Sequence, residues 1–321
     1  MHVRPFSNDD LPALLRLIAG NAATRPVGHT YLMTSDIAWQ FPGCEPEDNI
    51  RLWWDEMGLA GFGWFQPPDG LLFDVRDDRA SDVTLSRTIL DWAQARRAAF
   101  PPNYPFYLEL SSMSEWAAAI SAPRPHPLAA NRYLVAAALA SDVRRETVLR
   151  DHGFEPTAHF EPILTCTLRD LDPPSNTDAF TIRPVEEQEL EARVALHAAA
   201  WAPAAGFNLA QYQGVRAISE VFDPDLDIVA VTSDGQLASY TIAWTDPVSR
   251  IGSFEPFGTR PEFRGTGVSQ AVMNEGLKRL AAKGMAFARI YTAGFNHQAI
   301  RLYEDCGFAQ VDRSRTYLKL L

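Results

Sequence analysis

Apolar and polar residues follow the same order at the start of each half of the chain. The sequence HVRP at residues 2–5 precedes an acidic, leucine-rich stretch at 9–18, and TIRP at residues 181–184 precedes a matching stretch at 186–196. Each pattern predicts a strand followed by an amphipathic helix. The chain therefore contains one unit twice, and the segment 170–178, which is rich in turn-forming residues, predicts the linker.

The two units also share a sequence pattern near their C-terminal ends. Residues 146–154 and 299–308 each have helical spacing, and each stretch ends in the dipeptide Gly-Phe. Glycine after the last turn is a common helix cap, because it adopts the left-handed conformation without steric cost. The duplication predicts a first domain at 1–171, a linker at 172–179 and a second domain at 180–321.

Alternation in the second unit predicts its sheet. Residues 228–232 and 237–244 flank a tight Asp-Gly turn, which is typical of an antiparallel hairpin. A further strand at 250–259 is followed by a helix and then by a strand at 286–292. Those last two strands must run parallel because a whole helix separates them. The predicted fold is α/β: two domains, each with a mixed, mostly antiparallel sheet that has a parallel central pair and is flanked by helices.

Composition narrows the class of protein. The 321 residues carry a net charge of −11 with scattered basic residues, which argues against a nucleic-acid partner. The longest apolar stretches, such as 134–140, are too short to span a bilayer, and the charged N-terminus does not resemble a signal peptide, so we expect a cytoplasmic protein without membrane partners. The three cysteines lie far apart and form no metal or disulfide motif. We expect no metal.

A glycine-bearing loop, RGTGVS from Arg264 to Ser269, lies at a predicted strand-to-helix junction. The free backbone N–H groups at a helix start form an anion site, and glycines let the backbone approach a pyrophosphate closely. An ordinary turn before a helix would also account for such a loop. Its context in the chain favours phosphate binding.

This loop and a second motif resemble the GNAT superfamily of N-acetyltransferases. The family signature Arg/Gln-x-x-Gly-x-Gly/Ala is matched by Arg264 and Gly267, and Ser269 replaces its last small residue. The stretch NHQAIRLYEDCGF, from Asn296 to Phe308, is similar to the family's Asn-x-x-Ala-x-x-Leu-Tyr-Glu-x-x-Gly-Phe signature. Two signatures in the correct order make the resemblance specific, and it implies a tandem GNAT arrangement.

The resemblance implies that the second unit binds acetyl-CoA as cosubstrate. The backbone amides from Arg264 through Ser269 would bind the pyrophosphate, and the edge of the preceding strand would pair with the pantetheine arm. Pro256 supports a free strand edge because it lacks an N–H, although a bulge proline is an equal alternative. Asn296 either caps its helix or contacts pantetheine, or does both. The implied cofactor-binding residues are Phe257, Gly258, Thr259, Arg264, Gly265, Thr266, Gly267, Val268, Ser269 and Asn296.

Amide formation needs a neutral amine and a stabilised leaving thiolate. Strand alternation places Glu255 on the same face as Phe257 and Thr259, where an acceptor would approach, so it is the candidate base. A Glu paired with an arginine is the alternative. In the family a tyrosine at the position of Tyr303 often protonates the thiolate. Packing as a half-buried aromatic is the alternative for Tyr303. Trp201, Phe207 and Tyr212 occupy the region that shapes the acceptor pocket in the family.

The first unit lacks both signatures. The junction at residues 75–83 has no glycine and instead carries Asp77, Asp78 and Asp82, which place negative charge where a pyrophosphate would bind. In its closing motif, Leu149 and Arg150 stand near the place of the Leu-Tyr pair of the second unit. We expect a degenerate GNAT-like domain that packs against the second domain and walls the acceptor site.

These observations predict an acetyl-CoA-dependent N-acetyltransferase that acts on a small-molecule amine. A non-catalytic acyl-CoA sensor would keep the phosphate loop without using Glu255 and Tyr303. A structural module would bind no coenzyme A. Among enzymes, one that acetylates a small thiol precursor, such as an amino-sugar cysteine conjugate, competes with one acting on other small amines or on a protein amine. The sequence leaves the acceptor and the oligomeric state open.

Overall fold

The computed structural model describes residues 1–121, 126–169, 171, 179–203 and 206–321, so nearly all of the predicted linker at 172–179 lies outside the described residues. The first half contains β1 His2–Pro5, α1 Leu11–Thr24, α2 Thr34–Gln40, α3 Pro46–Asn49, β2 Ile50–Asp55, β3 Gly58–Gln66, β4 Gly70–Val75, α4 Val83–Arg97, α5 Met113–Ser121, β5 Tyr133–Leu139, α6 Val143–Asp151 and β6 Glu155–Thr167. The second half contains β7 Phe180–Pro184, α7 Leu190–Ala200, α8 Leu209–Arg216, β8 Asp227–Thr232, β9 Leu237–Asp246, β10 Ile251–Thr259, α9 Val268–Ala282, β11 Phe287–Tyr291, α10 His297–Asp305 and β12 Ala309–Leu320. None of the described helices is long and apolar enough to cross a membrane.

The local patterns of the second half form as predicted. β8 and β9 pair antiparallel, and Gly235 in their turn has a φ of 87°, which a glycine adopts without steric cost. β10 and β11 pair parallel across the intervening α9. α6 and α10 end before Gly153 and Gly307, both of which have positive φ. The mixed, mostly antiparallel α/β fold is confirmed.

All the described strands join one sheet, in which the two halves exchange their last strands. The order is β1-β2-β3-β4-β5-β12-β6-β11-β10-β9-β8-β7. β6 leaves the first half to pair with β11, and β12 leaves the second half to pair with β5. β6 and β12 pair antiparallel with each other at the centre of the sheet. Each half therefore supplies the strand that continues the sheet of the other.

The strand exchange also divides the apolar cores between the halves. Tyr317 of β12 packs into the core that α4 and α6 cover, beside Leu149 and Phe154. Leu164 of β6 packs into the core that α9 and α10 cover, beside Tyr303. Because each core contains side chains from both halves, neither half buries its apolar surface alone.

One helix of the first half lies over the second half. α2 packs against β10, and the hydroxyl of Ser253 donates to the hydroxyl of Ser35 at 2.7 Å. Both serines are buried. The first half therefore contributes one wall to the face of the sheet on which Glu255 lies.

Candidate active site

The parallel strands β10 and β11 separate along their length. The pairing of β10 with β11 covers residues 251–253 of β10 and ends there, whereas β9 continues to pair with Phe257, Gly258 and Thr259. The other edge of this strand segment therefore faces the gap between β10 and β11. Pro256 lies at a register shift of β10, so it is a bulge proline as one of its two interpretations predicted. The gap provides the free strand edge that a pantetheine arm requires.

The glycine loop ends directly at the start of α9. Gly265 and Gly267 have φ values of 79° and 88°, and a Cβ on either would point into open space. The N–H of Ala271 is the first to bond back along the helix, to the carbonyl of Gly267 at 3.1 Å. The N–H groups before it have no partner within the helix and point along its dipole. This geometry fits a pyrophosphate.

The side chains of the loop hold its shape. The guanidinium of Arg264 donates to the carbonyls of Thr259 at 3.3 Å and Ala200 at 2.9 Å. Thr266 donates its hydroxyl to the carbonyl of Phe263 at 2.8 Å. Ser269, which replaces the small residue of the family signature, lies 2.8 Å from the hydroxyl of Thr259. These side chains are committed to protein groups, and the N–H groups of Arg264 and Thr266 donate to the carbonyls of Pro261 at 3.2 Å and Phe263 at 3.4 Å. The N–H groups at the start of α9 stay the candidate ligands for a phosphate.

α10 presents Asn296 and Tyr303 to the same gap. Asn296 accepts a hydrogen bond from the N–H of Ala299 at 3.3 Å, so the capping interpretation is confirmed, and its contact with pantetheine stays a prediction. Tyr303 is buried, with its ring centroid 6.5 Å from that of Phe257. Burial, with a smaller contribution from the Glu255 carboxylate, raises the pKa of Tyr303 well above its usual range. The Tyr303 hydroxyl therefore keeps its proton at neutral pH and can donate it.

Glu255 lies at the point where β10 and β11 separate. Burial raises the pKa of its carboxyl to about 8, and the charges of Asp36 and Glu161 add to the rise. Within the described part of the chain, no arginine or lysine nitrogen lies within 4.0 Å of this carboxylate in an ion pair, so the arginine-paired alternative is not observed. A carboxyl that titrates near the working pH is suited to general-base catalysis.

A cavity of about 540 Å³ opens beside Glu255 and Pro256 and is lined by both halves. Its lining combines aromatic rings with amide side chains. Trp201 and Phe207 line it as the sequence predicted, whereas Tyr212 is fully buried and donates its hydroxyl to Asp227. The remaining aromatic and amide residues of the lining are Trp39, Gln40, Trp64, Gln66 and Gln211.

His197 also lines this cavity. Its Nδ1 shares a hydrogen bond of 2.6 Å with the hydroxyl of Tyr240, which accepts a further hydrogen bond from Trp201 at 2.9 Å. Burial, helped by the charge of Arg193, lowers the pKa of His197 to about 3. The imidazole is uncharged at neutral pH.

Sequence reasoning missed the residues that the first half brings to the site. Asp36, Trp39 and Gln40 come from α2, and Glu161 comes from β6. Tyr291, at the end of β11, is a residue of the second half that sequence reasoning also missed. Each lies far from Glu255 in the sequence, and no motif marks any of them. Alternation along β11 is the one signal that could have placed Tyr291 on the same face as Glu255.

In the first half, other side chains stand at the positions that correspond to Gly267 and Tyr303. Asp82 precedes α4 as Gly267 precedes α9, and its carboxylate accepts a hydrogen bond from the N–H of Leu85 at 3.0 Å. An anionic side chain therefore occupies the helix start at which a pyrophosphate would bind. Leu149 stands at the seventh position of α6, where α10 has Tyr303.

Arg145 is a basic residue near the start of the last helix of the first half. It is the third residue of α6, where α10 has Ala299. Its guanidinium carbon lies 3.6 Å from the ring centroid of Tyr31 and 3.5 Å from that of Phe73, and it donates to the carbonyl of Phe73 at 2.8 Å. A stacked guanidinium thus lines the cavity of about 740 Å³ that opens beside β4 and β5.

The chain should therefore bind about one acetyl-CoA. The carboxylate of Asp82 caps the start of α4, and its negative charge opposes phosphate. Isothermal titration of the pure protein with acetyl-CoA should give a stoichiometry near one, and Gly267→Asp should remove that single event. A stoichiometry near two would contradict the degenerate interpretation of the first half.

The separated parallel strands, the glycine loop at a helix start and the buried tyrosine together define the GNAT fold and its cosubstrate groove. The second half of the chain belongs to the GNAT superfamily: residues 188–308 match the acetyltransferase (GNAT) family model. The fold of the entire chain is similar to that of whole solved proteins, one of which is a tandem GNAT protein.

Two curated relatives are mycothiol acetyltransferases. The chain is 32% identical to that of Nocardiopsis dassonvillei over 111 residues, which cover 32% of this chain and 33% of the relative. It is 29% identical to that of Streptomyces avermitilis over 202 residues, which cover 58% of this chain and 65% of the relative. The matches thus span between one third and about two thirds of these relatives.

Two solved structures share the fold of the whole chain. A GCN5-related N-acetyltransferase from Sphaerobacter thermophilus has a TM-score of 0.62 at 16% identity, covering 99% of this chain and 95% of its own. A tandem GNAT protein from the clavulanic acid biosynthesis pathway also has a TM-score of 0.62, at 14% identity, covering 99% of this chain and 98% of its own. These likenesses show the tandem GNAT fold.

Proposed function

We propose that the chain is an acetyl-CoA-dependent N-acetyltransferase that acetylates the amine of a small molecule, with one active site in its second half. The observation that carries the proposal is the placement of Glu255 and Tyr303 at one gap. Glu255 lies where β10 and β11 separate, and Tyr303 contacts Phe257 two residues further along β10. The glycine loop follows at the end of the same strand.

The proposed roles conserve protons. Acetyl-CoA supplies the acetyl group as a thioester. Glu255 takes one proton from the acceptor ammonium, which frees the nitrogen lone pair for attack on the thioester carbonyl. As the new C–N bond forms and the C–S bond breaks, the Tyr303 hydroxyl protonates the sulfur, and the second proton that leaves the nitrogen restores the Tyr303 hydroxyl by way of solvent. The third hydrogen stays on the amide, and the proton on Glu255 returns to solvent through the open cavity.

The lining of the cavity supports a small acceptor with an uncharged body. Among the described lining residues, Glu255 is the carboxylate, and the lining includes no arginine or lysine that could match a phosphate or carboxylate. His197 is neutral, and burial raises the pKa of the Cys44 thiol to about 11. Aromatic rings and amides suit flat or hydroxylated groups through stacking and hydrogen bonds.

A second candidate within the same class is a mycothiol-synthase-like acetyltransferase. The curated relatives carry the name mycothiol acetyltransferase, and a tandem fold accompanies that likeness. The aromatic and amide lining would accommodate an amino-sugar conjugate as well as another uncharged amine. A non-catalytic acyl-CoA sensor is the alternative outside the enzymes.

Release of free coenzyme A thiol over a panel of amines tests the function. We expect turnover with an amine whose body is uncharged, and at least about tenfold lower kcat/KM for its carboxylate-bearing analogue, because the carboxylate would enter beside Glu255 without a basic partner. Glu255→Gln, which lacks the proposed base, is the control and should show little release of coenzyme A. Acetyl-CoA binding without turnover on any amine would favour the sensor, and a preference for the carboxylate-bearing analogue would contradict the proposed acceptor.

A further inference from the structure

Three strands present polar groups side by side beneath α2. The register pairs Ser253 of β10 with Arg289 of β11, and two residues further along each strand Glu255 and Tyr291 flank the point where the strands separate, close enough to interact electrostatically. β6 pairs with the other side of β11 and carries Glu161 on the same face as Tyr291. A small cavity of about 110 Å³ is lined by Glu161, Tyr291 and Arg289. Gln40 lines both this cavity and the larger one that holds Glu255.

Asp36 of α2 covers this row of groups and is held in place by three contacts. Its Oδ1 accepts a hydrogen bond from the Tyr291 hydroxyl at 3.1 Å, and its Oδ2 accepts one from the N–H of Met33 at 2.6 Å. Arg289 approaches Oδ2 at 3.9 Å. Asp36 is 2% exposed. Tyr291 therefore lies between a first-half carboxylate and Glu255.

The charges around Glu255 are unequal. Asp36 and Glu161 are acidic, Arg289 is the basic group among the described residues that acts on Glu255, and Arg145 of α6 lines the same small cavity as Asp36 and Glu161. The other titratable groups close to Glu255 are Tyr240, Tyr291 and Tyr303 on the elements β9, β11 and α10 and the neutral His197 of α7. Burial raises the pKa of Glu161 to about 7 and that of Asp36 above its usual range. Ionisation of any one carboxyl opposes that of the others.

We propose that two carboxyl groups of the first half, Asp36 and Glu161, act on the base Glu255 as neighbouring negative charges, because both lie with Tyr291 around one small cavity on the face of the sheet that carries Glu255. This inference rests on the proposed function, since it assigns Glu255 as the base. An isolated glutamate is too weak a base to take a proton from an alkyl ammonium efficiently. The first half would thus complete the chemistry of the second, although it has no cosubstrate site of its own.

A pH titration followed by infrared spectroscopy tests the inference on the pure protein without any acceptor. The C=O stretch of a protonated carboxyl that titrates near pH 8 should be present in the wild type and absent in Glu255→Gln. In Glu161→Gln the midpoint should move down by roughly one pH unit, because a neighbouring negative charge has been removed.

Matched variants separate electrostatics from structure. Glu155→Gln changes the same residue type on the same strand at an exposed position and should leave the midpoint unchanged. Asp36→Asn keeps the size of the side chain and should lower the midpoint as Glu161→Gln does, and circular dichroism checks that each variant is folded. With an accepted amine, the acidic limb of the kcat/KM profile should move in the same directions.

The possible outcomes distinguish the two proposals. If Glu255→Gln removes the band near pH 8 and folded Glu161→Gln and Asp36→Asn leave the midpoint in place, the inference is overturned while the proposed base stands. If the band survives in Glu255→Gln, the inference is overturned, because another carboxyl has been titrated. A downward shift of the midpoint in both Glu161→Gln and Asp36→Asn supports it, whether or not an acceptor is found.

Discussion

Tyr303→Phe should lower kcat by ~10² to 10⁴ while the affinity for acetyl-CoA barely changes. The substitution removes one hydroxyl, and loss of a general acid typically costs a factor of that size. The ring stays in place because it packs against Phe257 and Phe308, at centroid distances of 6.5 and 6.2 Å. Steady-state turnover and isothermal titration of the same preparation measure the two effects.

Tyr317→Phe is the matched control for that result. Tyr317 is also a buried tyrosine, with 1% exposure, but it lies in the core beneath α4 and α6. Its loss of a hydroxyl should leave kcat unchanged. A pre-steady-state measurement must show that chemistry limits the rate, and full turnover by Tyr303→Phe under that condition would assign the proton donor to water or to another group.

Gly267→Asp should weaken acetyl-CoA binding on the order of 100-fold or more, because a carboxylate within a few ångströms of the pyrophosphate costs several kcal/mol at the effective dielectric of a protein surface. The fold should survive. A Cβ at this position meets nothing within 4 Å, and the left-handed backbone, with a φ of 88°, costs only about 1–2 kcal/mol for a side chain. Isothermal titration measures the affinity, and thermal unfolding measures the stability.

Gly267→Asn separates charge from shape in that experiment. Asparagine is isosteric with aspartate and tolerates the left-handed conformation, so its loss of affinity reports the effect of bulk alone. We expect a far smaller loss than for aspartate. Equal affinities for the aspartate variant and the wild type would remove the phosphate-binding assignment of the loop.

The tandem arrangement gives the first half a role that does not need a cosubstrate. Its helix α2 lies over β10 through the contact of Ser35 with Ser253, and its last strand pairs with β11. Its own helix start is occupied by Asp82, and Arg145 stacks on Phe73. The first half thus lines part of the cavity beside Glu255.

The sequence alone determined the local elements and the loop chemistry of this protein. The Asp-Gly turn predicted the β8–β9 hairpin, and the intervening helix required β10 and β11 to be parallel. The glycine loop precedes α9 as predicted, and Gly265 and Gly267 have positive φ values there. These features depend on residues close together in the chain, where backbone sterics and side-chain period act directly.

Only the tertiary structure decided which strands and which carboxyls meet. The last strand of either half has an apolar face that would fit beside either β5 or β11, so no local pattern could predict the exchange of β6 and β12. The exchange brings Glu161 to the face that carries Glu255, and the packing of α2 brings Asp36 there. These contacts join residues about a hundred or more positions apart, and their formation depends on how whole sheets and helices pack rather than on any local periodicity.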